Sequence, residues 1–202
     1  MPGAGRVSGG SARGLRLVGA GSATRPLSDR VKQSLFGGLA DRLAGARVLD
    51  LFAGTGAAGI EALSRGATSS DFVERDERAV AAIRANLRST GLGEQGRVHQ
   101  ADAVRYLSGG SGERGPFDLV LLDPPYGDPA MLAALELLGG GTLLSPEAIV
   151  VAKHFWRDAP PEEVGVLRRR RVRRFGETAL TFYAADHPGQ AAAADDRAEQ
   201  AP

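Results

Sequence analysis

Asp123-Pro124-Pro125-Tyr126 directly follows the apolar run Leu119-Val120-Leu121-Leu122. Such a run reads as a buried strand, so the four residues form a loop at its carboxyl end. Two prolines fix φ and remove two N–H donors, which leaves a rigid loop of carbonyl oxygens and one carboxylate. A loop of this kind suits a substrate that donates protons from an NH2 group. The ring of Tyr126 offers a face on which a planar, extruded base can stack. An aromatic amine is a poor nucleophile because its lone pair is delocalised into the ring. With Asp123 and a proline carbonyl holding both N–H groups, the lone pair is free to aim at an electrophile, and Asp123 is placed to relay the released proton. The competing reading is a Pro-rich turn in which Asp123 caps a helix.

A second group of residues could hold the electrophile. Gly54-Thr55-Gly56-Ala57-Ala58-Gly59 matches G-x-G-x-x-G after the apolar run Arg47 to Phe52, and Glu74 ends the next strand. Glycines at such a turn let a ligand approach the backbone and the helix N-terminus, while a carboxylate at the second strand tip accepts hydrogen bonds from ribose hydroxyls. The motif alone serves a nicotinamide dinucleotide and S-adenosylmethionine equally. Asp50, inside the end of the first strand, favours the second: its charge opposes a pyrophosphate and suits a sulfonium and an ammonium. Asp50 also reads as a cap of the turn amides. Asp102, after the third strand, is placed either to accept from an adenine amino group or to cap the following helix. His99, His154 and His187 stand apart without ligand-like spacing, Ser34 and Ser145 lack a nucleophile-elbow context, and Trp156 reads as packing.

These residues need a scaffold of alternating strands and helices. Val31, Leu35, Leu39 and Leu43 recur every four residues and predict an amphipathic helix from Leu27 to about Leu43, capped by Ser28. Strands are predicted at 47–52, 71–74, 97–100, 117–122, 148–152, 164–172 and 178–183, with helices following the Gly turn, over 79–87 and over 129–138. The expected fold is α/β and Rossmann-like: a seven-stranded, mostly parallel, doubly wound sheet with a C-terminal antiparallel hairpin and helices on both faces. Residues 1–26 read as a basic, partly ordered arm, 27–184 as one domain, and 185–202, with almost nothing to bury, as a disordered tail.

Composition limits the remaining classes. A chain of 202 residues holds one α/β domain with a good core. Absence of Cys excludes disulfides, thiolate metal sites and cysteine nucleophiles. No apolar run has membrane length and the N-terminus lacks a signal-peptide core, so a cytoplasmic, monomeric protein without a membrane partner is expected. Net charge is only +1, yet the basic residues cluster. Arg6, Arg13, Arg16, Arg25 and Arg30 make the first segment basic, and Arg168 to Arg171 with Arg173 and Arg174 form a second block. Two such segments flanking a cofactor domain match a phosphate-backbone footprint; the alternative is a solvated face and a frayed terminus.

Several segments together resemble the bacterial 16S rRNA guanine-N2 methyltransferases of the RsmD type, a family of class I S-adenosylmethionine-dependent methyltransferases. They are Arg6-Val7-Ser8-Gly9-Gly10, Arg25-Pro26-Leu27-Ser28-Asp29-Arg30-Val31-Lys32, Asp50-Leu51-Phe52-Ala53-Gly54-Thr55-Gly56, Val73-Glu74-Arg75-Asp76 and Phe175-Gly176-Glu177-Thr178 through Tyr183. The resemblance implies that Asp50, Phe52, Gly54, Gly56, Glu74 and Asp102 contact S-adenosylmethionine and that Asp123, Pro124, Pro125 and Tyr126 hold the guanine amine. It also implies that Arg6, Arg13, Arg25 and Arg30 engage 16S rRNA on the assembling small subunit. Three positions depart from the family pattern: Leu27 stands for Thr, Gly37 for Asn, and Lys153 for an acid. Rival readings are an N6-adenine or other nucleic-acid amino-methyltransferase, a non-catalytic RNA-binding module, and a nicotinamide oxidoreductase, which gives Asp123 to Tyr126 no role.

Overall fold

A computed structural model describes residues 3–21, 29–109 and 115–186. Its centre is a parallel sheet of β3 (Arg47–Leu51), β4 (Ser69–Glu74), β5 (Gly96–Gln100), β6 (Phe117–Leu122) and β7 (Leu144–Phe155). β10 (Thr178–Ala185) runs antiparallel beside β7, followed outward by β9 (Leu167–Phe175) and β8 (Glu163–Val164), in the order β5-β4-β3-β6-β7-β10-β9-β8. Strand order turns back at β3 and β6, so their carboxyl ends open a crevice between neighbours that are distant in sequence.

The central strands bury alternate residues on opposite faces, as a doubly covered sheet requires. Val48, Phe72, Leu119 and Leu121 join one core, beneath Phe36 of α1 (Asp29–Gly37), Ile60 of α2 (Ala57–Ser64) and Ile83 of α3 (Glu77–Thr90). Leu49, Val73, Val120 and Leu122 join the other, against Tyr106 of α4 (Ala103–Ser108) and Leu135 of α5 (Ala130–Gly139). The expected Rossmann-like architecture with helices on both faces is present.

Three expectations need correction. The sheet has eight strands, not seven, because Gly165, at φ 57°, splits the predicted strand 164–172 into β8 and β9. A two-residue strand carries no alternation to read. The predicted helix ending at Leu43 stops at Gly37, and residues 40–42 form a 3-10 turn. Gly37-Gly38 ends it, since glycine loses more backbone freedom than other residues on entering a helix, although Leu39 and Leu43 remain buried. Strand 148–152 extends to Leu144–Phe155, which carries Lys153 to the crevice. The proposed Ser28 cap, Arg25 and residues from 187 onward lie outside the described residues.

Residues 3–21 form an antiparallel pair, β1 (Gly3–Arg6) and β2 (Arg16–Val18), docked on α2 and α3. Glu61 of α2 is fully buried; its carboxylate accepts from Ser8 N and Ser8 Oγ at 2.7 Å each and from Arg65 Nε at 2.7 Å. A Cβ on Gly10, at φ 78°, would lie 1.7 Å from the Ser64 carbonyl oxygen. Asn86 accepts from Val18 N at 2.7 Å and donates to Thr55 O at 3.0 Å, tying this pair of strands to the glycine turn.

Candidate active site

A cleft of about 650 Å³ opens at the carboxyl ends of β3 to β7. Asp50, Phe52, Gly54, Glu74, Asp102, Asp123, Pro124, Pro125, Tyr126 and Lys153 all line it. Gly56 does not: it is buried behind the wall, where its left-handed φ of 75° starts α2. Gly59 allows the next contact, because a Cβ there would stand 2.4 Å from the Phe72 ring. Phe52 is left-handed too, at φ 61°, an uncommon state for a residue with a side chain that marks backbone strain at the cleft wall.

Backbone amides orient the carboxylates. Glu74 accepts from Gly54 N and Asp76 N at 2.8 Å each, one bond per oxygen. Asp50 accepts from Gly59 N at 2.8 Å, so it does hold a turn amide while also facing the cleft. Burial pushes its carboxyl up to about 8, with repulsion from Asp123 and Glu74 adding to the rise and the Gly59 hydrogen bond opposing it. Asp102 caps α4 by accepting from Arg105 N at 3.0 Å, the second of its two readings, and it also lines the cleft.

Asp123 caps no helix. Its carboxylate is ion-paired and hydrogen-bonded to Lys153 Nζ, and the first turn of α5 is served by Asp128, which accepts from Ala130 N at 2.9 Å. Burial raises the Asp123 carboxyl and Lys153 opposes that rise. Tyr126 is 46% exposed; its hydroxyl is 2.7 Å from Thr178 Oγ1 and its ring centroid 5.7 Å from Lys153 Nζ. Lys153 is the cleft-lining partner of Asp123 that sequence reasoning did not place in the site. Its signal was the departure from an acid, to which no partner could be assigned without the sheet.

Among the described residues, Asp50, Glu74, Asp76, Asp102, Asp123 and Asp128 share this cleft with three cationic side chains, Arg75, Arg78 and Lys153, and Lys153 is already engaged by Asp123. An excess of carboxylates opposes a pyrophosphate and suits a ligand carrying a sulfonium and an ammonium. Among the described residues no group of His, Asp or Glu is arranged to hold a metal ion. The exposed Arg6, Arg13 and Arg30 lie outside the cleft.

The family described as "Conserved hypothetical protein 95" matches residues 5–184, nearly the whole described chain. The chain belongs to this family. It is 38% identical to YlbH of Bacillus subtilis over 179 residues, covering 88% of this chain and 97% of that protein. Ribosomal RNA small subunit methyltransferase D of Escherichia coli is 31% identical over 92% of each chain. The solved structure of yhhF from Escherichia coli superposes with a TM-score of 0.79 at 29% identity, covering 90% of this chain and 98% of that one. The fold is that of the class I methyltransferases. The nicotinamide reading falls with both the family and the charge of the cleft.

Proposed function

We propose that this protein methylates the exocyclic N2 amine of a guanine in 16S rRNA of the assembling small ribosomal subunit. The observation that carries the reading is the juxtaposition, in one cleft, of the Asp123 to Tyr126 loop with the carboxylates of Asp50, Glu74 and Asp102. Relatives named for small-subunit rRNA methylation support the choice of substrate.

Asp50, Phe52, Gly54, Glu74 and Asp102 are assigned to the cofactor, with Gly56 shaping the turn from behind. Glu74, fixed by two amides, offers its remaining lone pairs to a diol, and Asp50 supplies negative charge for a cationic amino-acid end. S-adenosylmethionine supplies an electrophilic methyl group. Asp123 accepts one amine N–H and a proline carbonyl accepts the other, which orients the nitrogen lone pair. Lys153 opposes the effect of burial and favours Asp123 as a carboxylate, the form that accepts. The N–CH3 bond forms as the S–CH3 bond breaks, its electron pair returning to sulfur as a neutral thioether, and the amine proton leaves through an Asp123 carboxylate oxygen. Tyr126, steadied by Thr178, stacks on the extruded base. Arg6, Arg13, Arg25 and Arg30 are assigned to the RNA backbone.

The test supplies labelled S-adenosylmethionine with unmethylated small subunits, naked 16S rRNA or DNA and identifies the labelled nucleoside. The expected product is N2-methylguanosine, and Asp123→Ala lowers kcat by about a thousand-fold. Label in DNA or in N6-methyladenosine, or undiminished transfer by the variant, overturns the assignment. The same proposal has the protein acting as a monomer in the cytoplasm; sedimentation of the purified protein checks its oligomeric state.

A further inference from the structure

The arginine run of β9 is divided by the fold into two parts with different partners. Arg168 and Arg169 are paired with Glu163 and Glu162, and Arg173 donates to Ser34 Oγ at 2.9 Å. At the end of the strand nearest the cleft, Arg174 is stacked instead: its guanidinium carbon lies 3.6 Å from the Trp156 ring centroid. Arg157, beyond the end of β7, lies 4.8 Å from the same centroid. Neither has a carboxylate partner among the described residues, although Asp158 and Glu177 lie in the adjoining turns.

Trp156 is joined to the active site by a chain of rings. The Tyr126 and Phe155 centroids are 6.0 Å apart and those of Phe155 and Trp156 6.3 Å. Backbone pairing fixes this line: Thr178, which holds the Tyr126 hydroxyl, is in register with Phe155, and Trp156 N donates to Glu177 O at 3.0 Å. Arg174 Nε donates to Gly176 O at 2.9 Å, and the terminal N–H groups of its stacked guanidinium are the donors that match a phosphate. Aromatic rings interleaved with unpaired arginines, leading outward from a base-stacking residue, are what a single nucleic-acid strand requires.

We propose that Phe155, Trp156, Arg157 and Arg174 form a docking track for the RNA strand beside the base held at Tyr126, with the two arginines binding its phosphates. This rests on the reading of the protein as an RNA methyltransferase. Trp156 is the sole tryptophan of the chain, so its emission reports the track directly. Titrating the full-length protein with a single-stranded RNA oligonucleotide is expected to change that emission. The double variant Arg157→Ala/Arg174→Ala is expected to bind the oligonucleotide about ten-fold more weakly, with a log affinity against log salt slope reduced by about 1–2. Its S-adenosylmethionine affinity and melting temperature remain those of the wild type, while Trp156→Phe retains most of the RNA affinity. Wild-type protein that methylates RNA beside a double variant with unchanged RNA affinity overturns the track alone. Tighter binding of polyglutamate than of RNA also overturns it. Wild-type protein that transfers no methyl group to any RNA overturns the functional reading and, with it, the track.

Discussion

Asp50 and Asp123 end neighbouring strands, and burial pushes both carboxyls upward. They differ in what opposes that burial: Lys153 for Asp123, one backbone amide for Asp50. Folded Asp50 holds its proton up to about 8, whereas an ordinary carboxyl releases it near 3.8. Its contribution to stability is therefore complete below the lower value and is lost progressively as pH rises to the upper one. Asp50→Asn keeps an acceptor for Gly59 without the charge. Above the pKa of Asp50 the ligand-free variant is expected to be more stable than wild type by roughly 1–3 kcal/mol in thermal denaturation. The same variant should bind S-adenosylmethionine at least about ten-fold more weakly, and in the wild type that affinity should improve as pH rises toward the Asp50 pKa. Lys153→Met leaves the burial of Asp123 unopposed. Its carboxyl then rises further, so the acid limb of the kcat profile moves up by about one pH unit while cofactor affinity holds.

Among the elements, the turn between β1 and β2, which packs on α2, shows how a sequence signature acquires a physical cause. Ser8-Gly9-Gly10 carries a family resemblance in the sequence but no reason for its glycines. The reason lies on α2, where Ser11 N donates to Ser64 O at 2.7 Å and a side chain at Gly10 would overlap that carbonyl. Gly10→Ala is expected to cost about 2–4 kcal/mol in urea denaturation. Gly14→Ala, at φ 87° with open space around it, should cost only about 1–2 kcal/mol of left-handed strain. A smaller gap between the two would mean that Gly10 is kept for its φ and not for the approach to α2. Helix α1 teaches the converse: periodic burial from Val31 to Leu43 persists across the break, because an α-helix and a 3-10 turn both return a side chain to the same face after three or four residues.

For the whole molecule, the first strands are part of the machinery that shapes the glycine turn. Removing residues 1–21 strips Ser8 from Glu61 and Val18 from Asn86 and takes the buried Val7 and Leu17 out of the core they share with Ile60 and Ile83. The truncated chain is expected to lose on the order of 3 kcal/mol or more of stability, with hydrogen exchange rising first in α2 and in the turn at Thr55. A truncation that melts like the full chain would show that these strands are dispensable. By itself the sequence determined the succession of strands and helices, the strand ends that carry Asp50, Glu74, Asp102 and Asp123, and the Asp-Pro-Pro-Tyr loop. Those features follow from apolar period and from glycine and proline, which act within a few residues. Tertiary structure alone decided that Lys153 is the partner of Asp123, that Glu61 anchors the first strands, and that the arginine run divides at Trp156. Each of these depends on which distant segments the sheet brings side by side, and strand order and register are set by burial across the whole fold rather than by any local run of residues.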